Sequence, residues 1–198
     1  AAVSNNHYFR FVFDYEIHRL AIEELSGKLP SPMSLLKALT SILQPIADQH
    51  FPEHTLTINL VSESKALEAA LSEAKGFRHV EVKVTFPNGE LSHRLRQLKN
   101  NNVHVLKAEA SSDKDALMPS LPDFILDMVR ASSDYGRAKF TYVKERLARR
   151  QIFSTEEYPE KVRLRAKKNE QEASFIERVW GKLRDSVPKL EVEPDEAE

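Results

Sequence analysis

Hydrophobic positions in this chain change period several times, and each change predicts an element. "HYFRFVFDYEIHRLAIEE" (7–24) alternates with period two and sets Phe9, Phe11 and Phe13 on one face, the signature of a half-buried strand. It reads as one long strand or as a hairpin bending near Asp14–Glu16. "GKLPSP" then punctuates, and Pro30 and Pro32 stand at the entry of a helix. Its apolar stripe is Leu35, Leu36, Leu39, Ile42, Leu43 and Ile46, and Pro45 is expected to end or kink it. "HTLTINLV" (54–61) alternates again, as a strand with Leu56, Ile58 and Leu60 inward. "SESKALEAALSEAKG" follows as a helix capped by Ser62 or Ser64 and closed by Gly76.

The clearest strand is "FRHVEVKVTF" (77–86). Val80, Val82, Val84 and Phe86 share one face; His79, Glu81, Lys83 and Thr85 share the other. "PNG" marks a turn, Leu91, Leu95 and Leu98 stripe a helix stopped by "NNN", and "VHVLKAEA" is a further strand. A helix carries Leu117, Leu121, Phe124, Ile125, Met128 and Val129, with Pro119 and Pro122 in its first turn or a preceding loop. "GRAKFTYVKE" is a strand, "VKERLARR" fits a strand or a helical turn, and a last helix bears Phe175, Ile176, Val179, Trp180 and Leu183. Strands alternate with helices long enough for crossovers. The prediction is an α+β fold: a mixed, mainly antiparallel sheet covered by helices, with ferredoxin-like elements. Residues 1–187 are expected to form a single domain. Residues 188–198, rich in acids, are expected to be a disordered tail. The opening "AAVSNN" lacks a methionine and leaves room for a missing N-terminal portion.

Composition narrows the chemistry. The 198 residues are 41% hydrophobic and carry 29 Lys and Arg against 30 Asp and Glu, so the net charge names no partner and any electrostatic argument must be local. The absence of cysteine removes disulfides, thiol catalysis and thiolate metal sites and suits a cytoplasmic protein. No run of sequence approaches a membrane span. Five glycines supply no phosphate-cradling loop, and there is no G-x-S-x-G elbow. Catalytic residues, cofactors and metal ligands are therefore expected to be absent.

Weak constellations remain. Asp14, Glu16 and His18 share a face only if the first strand is continuous. His50 and His54 have helical zinc-ligand spacing, but Pro52 lies between them. His79, His93 and His104 belong to separate elements. The strongest local feature is basic. In "EKVRLRAKK", Lys161, Arg163, Arg165 and Lys167 alternate with Val162, Leu164 and Ala166, and Arg149 and Arg150 precede them. On a strand, these cations project to one face about 6.6–7 Å apart. Arg137 and Lys139 would extend the patch from a neighbouring strand, and Phe153 or Tyr158 would stack a base. The same row would equally protect a sheet edge or dock an acidic surface.

"YFRFVFDYEIHRL", "LTINLVSESKALEAALSEAKGFRHVEVKVTFPN" and "GRAKFTYVKERLARRQIFSTEEYPEKVRLRAKK" together resemble a bacterial family catalogued as domain of unknown function 4747. The resemblance implies a phage or mobile-element setting and a role in phage exclusion or defence. It supplies no site residue. Residues and resemblance together lead to the expectation of a non-catalytic domain binding DNA or RNA backbone through Lys161, Arg163, Arg165, Lys167, Arg149 and Arg150. The alternative is a protein-interaction or self-assembly module, with a homo-oligomer or a protein partner formed where the aromatic N-terminal strand seeks a partner edge.

Overall fold

The structure is a computed structural model, and it describes residues 8–24, 30–85, 103–145, 149–165 and 167–187. Contacts group the chain into two compact units. One comprises residues 31–88 and 93–161; the other comprises residues 1–30, 89–92 and 162–198. The predicted turn at "PNG", the helix over Leu91–Leu98, His93 and the acidic tail all lie outside the described residues.

The larger unit is built on an antiparallel sheet of β3 (Gly76–Thr85), β4 (Val105–Ser111), β5 (Gly136–Val143) and β6 (Gln151–Ser154), in the order β4-β3-β5-β6. It also contains α1 (Pro32–His50), α2 (Ser64–Glu73) and α3 (Asp123–Tyr135). The fold class is α+β as expected. The sheet is antiparallel, as the main part of that expectation has it: every strand pairing among the described residues runs that way. A crossover helix needs a parallel partner strand to return to, and here β3 pairs with β4 and β5 in the opposite sense.

Period two on β3 and β5 determines what the sheet buries. Val80, Val82, Val84, Ala138, Phe140 and Tyr142 are all nearly inaccessible. α3 packs on β3 and β5, and α2 packs on α3, adding Met128, Val129, Leu67 and Ala70 to the core. Phe140 is the aromatic centre, with ring centroids 5.7 Å from Phe77, 5.6 Å from Tyr142 and 5.1 Å from Phe153. Gly136 joins α3 directly to β5. A Cβ there would overlap the Lys83 carbonyl oxygen, so glycine lets the two backbones close.

Several local expectations are corrected. α1 continues through Pro45 to His50; the ring sacrifices the bond to the Ser41 carbonyl, but that residue is exposed and water can replace it. No residue of α1 is fully buried, and Ile42 and Ile46 of its apolar stripe are exposed. Residues 55–61 belong to no strand, although Ser62 makes an isolated bridge to Pro159. Thr85 is buried rather than outward, its hydroxyl donating to the Tyr135 carbonyl at 2.8 Å. Pro119 and Pro122 take the second of their two expected placements, preceding α3, for which Pro122 is the N-cap.

The smaller unit pairs β1 (Phe11–Asp14) with β2 (Arg19–Ile22) as a hairpin against α4 (Glu172–Asp185). The long N-terminal strand thus takes its hairpin form, turning at residues 15–18. Asp14 causes that turn. Its buried Oδ1 accepts the backbone N–H groups of Glu16 at 3.0 Å and Ile17 at 3.4 Å, and its Oδ2 accepts from Arg184 Nε at 2.7 Å. These bonds, led by the guanidinium, hold the Asp14 carboxyl below its ordinary pKa. No helix among the described residues is long and apolar enough to cross a membrane.

Candidate nucleic-acid interface

The polar face of the four-stranded sheet is organised by register. Lys83 stands directly opposite Lys107 of β4 on one side and Arg137 of β5 on the other. Three cations therefore lie abreast across three strands spaced about 4.8 Å apart. Two residues along, Glu81 stands opposite Glu109 on one side and Lys139 on the other. Two residues further, His79 stands between Ser111 and Thr141. A trough of about 600 Å³ runs over this face, lined by Lys83, Lys107, Arg137 and Lys139 together with Glu81 and Glu109. A second trough of about 460 Å³ links Lys83 and Arg137 to Lys37, Thr40 and Ser41 of α1.

Like charges directly opposite one another on a sheet repel. A fold that sets three cations abreast carries a standing electrostatic cost that a bound anion would relieve. Arg137 is partly compensated by Glu156 at 3.4 Å. Glu81 is held ionised below its ordinary pKa, first by the hydrogen bond from His79 and then by the charges of His79, Lys139 and Arg137. The face therefore divides into a cationic end and a carboxylate-and-imidazole middle.

The residues singled out from sequence are placed differently. Lys161, Arg163, Arg165 and Lys167 are all exposed, but residues 161–165 belong to no strand. The alternating strand is corrected: these residues pair with no strand, and Val162 is exposed as Arg163 is. Strand pairing stops where the Glu160 N–H reaches the Val61 carbonyl at 2.8 Å. Beyond it, the Arg165 carbonyl accepts from Arg178 Nη2 at 3.2 Å and the Lys167 N–H donates to Glu170 Oε2 at 2.9 Å. Lys161 and Arg163 fall in different compact units. Arg149 and Arg150 are exposed just before β6.

Phe153 is corrected as a stacking residue. It is buried between Phe140 and Tyr158, with ring centroids 5.1 Å and 4.9 Å away. Tyr158 remains partly exposed. Asp14 and Glu16 are both engaged by Arg184, at 2.7 Å and 2.8 Å, and do not join His18 in a metal-binding group among the described residues. His50 is the last residue of α1, and His54 lies in the turn that follows.

Lys107 and Glu109 were missed from sequence. Their alternation in "VLKAEA" was visible, but the register that sets them beside Lys83 and Glu81 is a tertiary fact. A family model described as domain of unknown function (DUF4747) matches residues 1–180. No curated protein and no solved structure matches the chain.

Proposed function

Because the chain belongs to the DUF4747 family, whose description assigns no activity, we propose its role from its surface: a non-catalytic domain that binds nucleic-acid backbone. The observation that carries this reading is the row Lys107–Lys83–Arg137, in register on an exposed sheet face, with Lys139 beside it. A repeating polyanion suits such a row, since each phosphate neutralised relieves repulsion and releases counterions. The face offers no exposed aromatic side chain on β3, β4 or β5, which favours sequence-independent contact with phosphate over base stacking. The exposed Lys161, Arg163, Arg165, Lys167, Arg149 and Arg150 add long-range attraction. The cytoplasmic phage-exclusion or mobile-element setting implied by the sequence resemblance suits a domain of this kind.

Fluorescence anisotropy with labelled single- and double-stranded DNA and RNA, across a salt titration, tests the proposal. Binding should weaken linearly in log salt, with about 0.7–0.9 of slope per phosphate. The triple variant Lys83→Gln, Lys107→Gln, Arg137→Gln should lose about 2 units of that slope. An unchanged slope in a folded variant removes the sheet face from the proposal.

A protein-interaction module is the second reading, favoured by one observation. Phe11 and Phe13 are exposed on the same hairpin strand, with Leu20 exposed opposite Phe13. Light scattering separates the readings: a self-associating module loses mass on Phe11→Ser with Phe13→Ser, whereas a monomeric wild-type chain ends the self-assembly version.

A further inference from the structure

The carboxylate-and-imidazole middle of the sheet face carries chemistry that polyanion binding does not use. His79, Glu81 and Glu109 each present one donor atom within 4.8 Å of the other two. They are fixed there by two strands: His79 and Glu81 are two apart on β3, and Glu109 is the register partner of Glu81 on β4. The two carboxylates carry up to two negative charges side by side, and the single imidazole can offset at most one. Lys139, opposite Glu81 on β5, offsets part of that charge, and a bound cation would balance what remains.

The imidazole is already oriented for ligation. Its Nδ1 lies 2.8 Å from Ser111 Oγ, across the strand pair, and its Nε2 lies 3.0 Å from Glu81 Oε1. A hydroxyl can either donate or accept. Without a metal, Nε2–H donates to Glu81 while Ser111 donates to Nδ1. In the other tautomer Nδ1–H donates to Ser111, and the Nε2 lone pair faces the Glu81 carboxylate. Two electron-rich atoms at that separation require a cation between them. A ligating histidine typically has its other ring nitrogen held by a hydrogen-bonding partner, and Ser111 supplies that partner in both states. The Nε2–Oε1 separation also fits. Two ligands each about 2.1 Å from one ion lie about 3.0–3.4 Å apart at angles between octahedral and tetrahedral. Glu109 Oε1 is 3.8 Å from Nδ1 on an exposed side chain, so rotation of that side chain completes the set.

We propose that His79, Glu81 and Glu109 form a divalent-cation site on the open sheet face. One imidazole nitrogen with two carboxylate oxygens selects a first-row transition ion such as Mn²⁺ or Zn²⁺ over the all-oxygen preferences of Ca²⁺ and Mg²⁺. Exposure leaves the remaining coordination positions to water. The site stands independently of the polyanion reading, although Lys139 and Arg137 border it.

Isothermal titration of the full chain with MnCl₂ and with ZnCl₂ tests the proposal, with electron paramagnetic resonance following free Mn²⁺. The expected result is saturable binding at a one-to-one ratio. His79→Gln and the isosteric pair Glu81→Gln with Glu109→Gln should each weaken it at least roughly tenfold. Ser111→Ala, which touches the ring but not the ion, should weaken it by about tenfold as a lost orienting partner. Circular dichroism checks that each variant keeps its strands. Wild-type protein that shows no saturable binding of either ion overturns the proposal, as does a folded His79→Gln variant that binds like wild type. Salt-dependent nucleic-acid binding that survives chelator distinguishes failure of the metal site from failure of the binding face.

Discussion

The two compact units bury opposite kinds of side chain. In the sheet unit the inaccessible residues are mostly apolar, among them Val80, Val84, Phe140, Met128 and Val129. In the hairpin unit, Leu183 is the one hydrophobic residue that reaches full burial among the described residues, while Asp14 is the buried charge. The cations divide in the same way. Lys83, Lys107 and Arg137 are held abreast by strand register, whereas Arg163 and Arg165 sit on a segment with no strand pairing. Basic residues close in sequence do not by themselves make an ordered surface. An apolar underside fixes the backbone, and the backbone then fixes the charges above it.

The largest effect should come from removing that underside. Phe140→Ala deletes the ring that meets Phe77, Tyr142 and Phe153 and should cost about 3–5 kcal/mol by urea denaturation. A loss below 1 kcal/mol by the same measurement would mean that the sheet is not held by its core, and the contrast between the units would fail. Gly136→Ala is a finer probe, because its Cβ meets the backbone of Lys83 and Val84 rather than a flexible side chain. Forcing β3 and β5 apart should cost about 1–3 kcal/mol. It should also misplace Arg137 relative to Lys83, so polyanion binding weakens even at temperatures where the variant is folded.

Charge removal compares the two basic features directly. Lys83→Gln with Arg137→Gln removes two cations from a fixed row; Arg163→Gln with Arg165→Gln removes two from the unpaired segment. The total charge change is the same. The row variant should weaken nucleic-acid binding by roughly tenfold and lower the salt slope by about 1.5. The segment variant should shift affinity less than threefold, through long-range attraction alone. Equal losses would return the segment to the site.

This asymmetry explains what was legible in the sequence. β3 and β5 were readable because Val80, Val82 and Val84, and Ala138, Phe140 and Tyr142, alternate over a large apolar surface that needs burial. The same alternation in "EKVRLRAKK" misled. Val162 and Leu164 are too little apolar surface to draw a strand into a sheet, and the carboxylate of Glu170 instead captures the Lys167 N–H. Periodicity also overstated α1, whose stripe leaves Ile42 and Ile46 exposed. The candidate face was only half legible. His79, Glu81 and Lys83 were correctly set on one side of their strand, but the partners that give them chemistry, Lys107, Glu109 and Ser111, depend on β3–β4 register. Register is fixed by how two strands pack on a common core and is not written in either strand alone.

The smallest predicted effect distinguishes the units by pH. Asp14 is held below its ordinary pKa first by Arg184, and Glu170 first by the Lys167 backbone N–H and then by Arg178. A carboxyl depressed in the folded state stabilises it fully above the unfolded pKa, and that stabilisation is lost as pH falls through the folded value. The hairpin unit should therefore loosen as pH drops below the ordinary carboxylate range, while the apolar core of the sheet unit persists. The single tryptophan reports on the first event alone: Trp180 lies on α4, its Nε1 3.4 Å from the Phe13 carbonyl. In an acid titration, its fluorescence should change at a higher pH than the far-ultraviolet circular dichroism of the strands. Asp14→Asn, which keeps the shape but not the charge, should move the fluorescence transition and leave the other in place. Coincident transitions in wild type would show that the two units unfold as one, and the division of labour between charge and core would then be a feature of packing without independent stability.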